Sequence, residues 1–99
     1  MYYAIMAEDN DNNLENRMNA RSSHLARLHE LQNQGRLLLA GPFPSIDSVD
    51  PGPAGFSGSL IVAEFSDLIA AKAWAEADPF VLAGVYANVT VKPFRKTLP

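Results

Sequence analysis

Apolar residues switch between two periods along this chain. "YYAIMA" (2–7) is a short, aromatic-rich run ended by the polar cluster "EDNDNN", which predicts a strand and then a turn. From Leu14 to Gln34 apolar residues recur at 14, 18, 25, 28 and 31, the spacing of a helix, with Gly35 as its C-cap. "RLLLAGPF" (36–43) predicts a second strand, broken by Gly41-Pro42. Residues 44–57, "PSIDSVDPGPAGFS", predict a long loop of the kind that borders a pocket. "GSLIVAEF" (58–65) is the strongest strand signal. Ser66 is placed to cap a helix "DLIAAKAWAEA", whose inner stripe would be Ile69, Ala70, Ala73, Trp74 and Ala77. A short "PFVLAG" turn follows. "VYANVTVKPF" (85–94) then alternates Val85, Ala87, Val89 and Val91 on one face and predicts a last strand. The order β-α-β-β-α-β is the split βαβ pattern of ferredoxin-like α+β folds.

Placed at about 100° per residue, the first helix buries Leu14, Met18, Leu25, Leu28 and Leu31. Arg21 falls near the middle of that stripe and His24 within it. His29 lies at the rim, and Arg27 and Glu30 point to solvent. A buried cation or imidazole is costly unless paired, so Arg21 and His24 each call for a partner.

Composition narrows the classes. The chain of 99 residues predicts a single domain, 1–99. A 47% hydrophobic fraction and 19% charged fraction suit a folded globular protein. The net charge of −3, with interleaved signs, offers no footprint for nucleic acid. No apolar stretch reaches the roughly 20 residues of a membrane span, and the N-terminus lacks the pattern of a signal peptide. The expected location is the cytoplasm. With no cysteine, disulfides and thiolate chemistry are excluded. No cofactor motif is present. Two histidines five residues apart on different helix faces do not make a metal site, and "DNDNN" lacks the glycine and glutamate of a calcium loop. Ser45, Ser48, Ser57 and Ser59 leave a serine triad open, although none sits in a nucleophile elbow.

His24 has two readings: a core histidine bonded to a backbone carbonyl, or a general acid/base that needs a carboxylate to orient it. Asp78 is the best-placed acid. It sits at a helix C-terminus, where a carboxylate is repelled, and just before Pro79. Its local alternative is N-cap of "PFVLAG", with Pro79 at the first helical position. The two roles are compatible.

"YYAIMAED", "RSSHLARL", "GRLLLAGPF", "GSLIVAEF", "AWAEADPF" and "GVYANVTVKPF", in this order over nearly the whole chain, resemble the YciI-like family. The resemblance implies a ferredoxin-like domain that pairs as a homodimeric α+β barrel with its sheets facing each other. It implies a pocket at a His–Asp pair, carried by His24 and Asp78, and lined or shaped by Arg21, Gly41 and Pro42. Some members of the family eliminate halide from chlorinated aromatic compounds. Two functional readings follow. One is a small enzyme acting by proton transfer, elimination or hydrolysis on a small molecule, aromatic rings included, with Arg21 as anion clamp. The other is a metabolite-binding or regulatory module that uses the same pocket without catalysis.

Overall fold

Four strands and three helices make up the chain in a computed structural model that describes residues 1–99: β1 (Tyr2–Asp9), α1 (Leu14–Asn33), β2 (Leu37–Pro44), β3 (Phe56–Glu64), α2 (Leu68–Glu76), α3 (Pro79–Leu82) and β4 (Tyr86–Phe94). The sheet is antiparallel throughout, in the order β2-β3-β1-β4. Each long helix therefore links two strands that admit a third between them, the ferredoxin-like arrangement.

Local chemistry ends the helices where the chain must turn. α1 closes with Gly35 at φ 71°. The Arg36 N–H donates to Leu31 O at 2.9 Å and the Gly35 N–H to Gln32 O at 3.0 Å, which satisfies carbonyls that the helix end leaves open. α2 starts one residue later than the sequence suggests. Asp67, not Ser66, is its N-cap, and its carboxylate accepts from the Ala70 N–H at 2.8 Å.

The helices cover one sheet face. Tyr3 and Ile5 of β1, Ile61 and Ala63 of β3, Leu28 and Leu31 of α1, and Ala71 and Ala75 of α2 form the main core. Ala71 and Ala75, rather than Ala73 and Ala77, carry the inner face of α2, and Ile69 is 79% exposed. Nearly every residue of this helix is apolar, so the pattern leaves its rotation undecided. Packing selects the face on which only methyl groups separate helix from sheet. On α1, Met18 is exposed and stands at the rim of a cavity instead of in the core. Arg27, expected in solvent, is half-buried. Its guanidinium lies 4.3 Å from the Trp74 ring centroid, and it donates to Trp74 O at 3.0 Å, an end carbonyl of α2.

Two strand details position the site. β2 runs through Gly41-Pro42 without a break, with Pro42 opposite Ser59. Proline is tolerated there because β2 is an edge strand. On β4 the pairing with β1 shifts between Glu8 and Asp9, so that Tyr86 faces Asp9 and Ala87 is the extra residue. That bulge reverses the phase of the strand. Tyr86, not Ala87, turns inward with Val85 to join Ala7 and Phe80 in a second small core. The opposite sheet face carries no helix. Leu39 (47% exposed), Phe43 (43%) and Phe94 (39%) stand on it beside half-buried Tyr2, Ala4, Met6 and Leu60.

Candidate functional site

α1 supplies His24 from its inward face and α3, packed against α1, supplies Asp78. Both are buried, 7% and 2% exposed. His24 Nδ1 lies 2.8 Å from Asp78 Oδ1 and 3.0 Å from Oδ2. An ionised carboxylate only accepts, so Nδ1 carries the proton in this pair. Asp78 is at the same time the N-cap of α3. Its Oδ1 accepts from the Phe80 N–H at 2.8 Å, with Pro79 in the first helical position. One carboxylate thus does both jobs considered for it, a dual use that explains an acid at the end of α2.

The ring of His24 is fixed on its flat side as well. It stacks on Phe80 with centroids 3.9 Å apart and planes 6° apart, and Tyr86 meets it edge-on at 6.4 Å. Nε2 makes no hydrogen bond, and His24 is on the wall of a cavity of about 350 Å³ between α1, β2 and β3. Arg21, Gly41 and Pro42 line the same cavity. Arg21, expected within the buried stripe, is instead exposed and makes no ion pair or hydrogen bond. Solvent takes the place of the partner that burial would have required. Gly41 contributes backbone to the wall: it lies between Leu39 and Phe43, so an added Cβ would stand on the uncovered sheet face, where it would meet nothing within 4 Å. Of residues 44–57 only Phe56, the first residue of β3, lines the cavity, so the loop between β2 and β3 neither borders nor covers it.

Sequence reasoning missed a second polar pair. Arg17 is 7% exposed, and its Nε and Nη2 bind Asp9 Oδ2 and Oδ1 at 2.5 and 3.1 Å. Nη2 also donates to Gly58 O at 3.0 Å and to Ser59 Oγ at 2.9 Å. The guanidinium carbon lies 5.3 Å from the Phe56 ring centroid and 5.0 Å from that of Phe80. The signal was available: Arg17 is seven residues before His24, and so on the same helical face, while Asp9 ends β1 beside it. Gly58 is needed where it stands, because a Cβ there would come within 2.0 Å of Ala7 O.

Next to this pair, burial pushes the Tyr86 phenol from 10.0 up to about 12. Ser59 opposes the rise, Asp78 adds to it, Arg17 opposes it and Asp9 adds to it, in falling order of weight. The Ser59 hydroxyl is near enough for that influence yet outside hydrogen-bond geometry, and the Tyr86 oxygen is buried without a partner. No group of three or more acidic, cysteine or histidine side chains is arranged to hold a metal ion, and no helix is long and apolar enough to cross a membrane.

The family described as YCII-related domain matches residues 1–95. Over 96 residues the chain is 58% identical to protein YciI of Escherichia coli O6:H1, covering 97% of this chain and 98% of that protein. A Haemophilus influenzae protein is 57% identical over 96 residues, with the same coverage. Among solved structures, TftG from Burkholderia phenoliruptrix, a 5-chloro-2-hydroxyhydroquinone dehydrochlorinase in complex with 2,5-dihydroxybenzoquinone, superposes with a TM-score of 0.83. That superposition covers 96% of this chain and 94% of TftG at 24% identity, a likeness of fold. The match over nearly the full length and the identity to YciI make this chain a member of the YCII-related family.

Proposed function

We propose that the protein is a small enzyme that moves protons on a small ring-shaped molecule bound in the cavity beside His24. The observation that carries this reading is the His24–Asp78 pair. Both carboxylate oxygens lie on Nδ1, which leaves Nε2 unpartnered in a ring that lines a 350 Å³ cavity. A histidine held in that tautomer presents its Nε2 lone pair as a base. Asp78 is then the positioning residue, and it stabilises the imidazolium formed when Nε2 takes a proton. Arg21, unpaired at the rim, meets an anionic oxygen of the ligand or a departing anion. Gly41 and Pro42 shape the facing wall.

The dehydrochlorinase chemistry named for TftG supplies the first substrate to test. Loss of hydrogen chloride from a chlorinated hydroxyhydroquinone releases one proton, which a base must accept, and one chloride ion, which leaves with the electrons of the C–Cl bond. No outside oxidant is needed. The experiment is chloride release from 5-chloro-2-hydroxyhydroquinone by wild type and His24→Ala. A loss of roughly 10²–10⁴-fold in the variant is expected for a general acid/base. Equal rates would refute the assignment of His24. Tight binding of the ring by the wild type without turnover would move the reading to a metabolite-binding module.

The uncovered sheet face belongs to the same proposal. We place a second copy of the chain on it, sheet against sheet, because the two long helices shield only the other face.

A further inference from the structure

We infer that Arg17 and Ser59 form an inner seat for a second oxygen of the ligand, two helical turns from the one that His24 serves. The inference rests on the proposed ring pocket and adds to it which rings the pocket selects. Both side chains are on the cavity wall, and both are more than nine-tenths buried, at 7% and 5% exposed. Each side chain keeps an N–H or O–H for which the protein supplies no hydrogen-bond acceptor, and Arg17 Nη1 is not sealed off from open space. Arg17 commits Nε to Asp9 and Nη2 to Asp9, Gly58 O and Ser59 Oγ, while Nη1 has no partner in the protein. Ser59 Oγ is occupied as an acceptor by Arg17 at 2.9 Å, so its own proton is the group left to give, with the nearby Tyr86 oxygen, outside hydrogen-bond geometry, as the competing acceptor within the protein. A hydroxyl that accepts from a guanidinium is polarised to donate more strongly.

The surroundings favour a neutral or partly charged oxygen over a full second anion. Asp9 already offsets the charge of Arg17 through two contacts. The rings of Phe56 and Phe80 flank the guanidinium and hold it in place. Arg17 and His24 are seven residues apart on α1, so their Cα atoms are separated by about 10 Å along the helix. Their side chains converge on a single cavity across the ring of Phe80, which stacks on His24 and lies 5.0 Å from the Arg17 guanidinium carbon. A six-membered ring with oxygens on opposite carbons can address both ends. A ring with one oxygen can address only one.

The test compares hydroquinone with phenol, which differ by that second oxygen, using amide chemical shifts of wild type and Ser59→Ala. The serine change removes one hydroxyl and leaves the Arg17–Asp9 pair intact. The expected result is a preference of about tenfold for hydroquinone in the wild type, the size of one hydrogen bond to a polarised donor, collapsing to near equality in Ser59→Ala. General damage to the fold would weaken both rings alike and leave their ratio unchanged. A preference that survives Ser59→Ala, or a wild type that binds both rings equally, overturns the inner seat and leaves the ring pocket standing. If neither ring binds the wild type, the ring-pocket reading falls and the seat falls with it.

Discussion

Replacing Asp78 by alanine and by asparagine tests the two tasks that its carboxylate performs. Alanine removes the cap on the Phe80 N–H, about 1 kcal/mol. It also leaves the buried His24 Nδ1–H, which now has both Asp78 oxygens within 3.0 Å, with no acceptor. An orphaned buried donor costs about 1–3 kcal/mol. Together these put Asp78→Ala at about 2–4 kcal/mol, against the 5–15 kcal/mol that typically holds a small domain together. For a chain of this size the melting temperature should fall by on the order of 10–25 °C. Asparagine keeps the cap, so the loss should stay near or below about 1 kcal/mol. Its amide oxygen, held by the cap where Oδ1 stood, still lies within reach of Nδ1 and accepts its proton, while the N–H₂ takes the place of Oδ2. The neutral ring should then stay protonated on Nδ1 in Asp78→Asn, whereas Asp78→Ala offers Nδ1 no acceptor and should shift the proton toward Nε2. Urea unfolding of the three proteins gives the energies, and long-range ¹H–¹⁵N spectra of the neutral histidine give the tautomer. Asp78→Ala costing no more than Asp78→Asn would refute the energetic reasoning. A tautomer in Asp78→Ala unchanged from wild type would refute the orienting role of Asp78.

Three further outcomes are expected. Arg17→Met strands the Asp9 carboxylate, whose side chain is 2% exposed, at a cost of about 3–5 kcal/mol; Asp9→Asn strands the cation at similar cost. The double variant should lose clearly less than the sum, by 2 kcal/mol or so, and strict additivity in urea unfolding would show that the two do not act as a pair. The raised phenol of Tyr86 predicts an alkaline effect. The unfolded chain releases this proton near pH 10 and the folded chain near 12, so the stabilisation is complete below pH 10 and is lost as pH rises through that window, about 2–3 kcal/mol in all. Tyr86→Phe should therefore lose less stability than wild type between pH 9 and 11.5, and parallel losses in urea unfolding would contradict the assignment. Sedimentation at micromolar concentration should give a dimer that Leu39→Glu, on the uncovered sheet face, converts to monomer; a monomeric wild type would remove the sheet-to-sheet pairing.

Periodicity by itself determined the order β-α-β-β-α-β and most element bounds to within a residue or two, because strands and helices impose periods of 2 and 3.6 that survive in one sequence. Gly35 and the Asp78-Pro79 step were legible for the same local reason: capping depends on neighbours along the chain. The partner of His24 could be nominated from the sequence, since an acid at a helix end is out of place. Contact between residues 54 positions apart is, however, a product of how α3 docks on α1. The rotation of α2 was not legible, because a helix that is apolar on nearly every side has no preferred face until a sheet is laid against it. Nor was the inward turn of Tyr86, which a one-residue bulge decides by reversing the phase of β4. Arg17 shows the limit most clearly. Its spacing from His24 puts it on the inward helical face, but the sequence alone does not say what would pair with it there. Only the closing of β1 and β3 around it supplies the carboxylate, the carbonyl and the hydroxyl that let a charge lie buried, since those partners come from strands far apart in the chain.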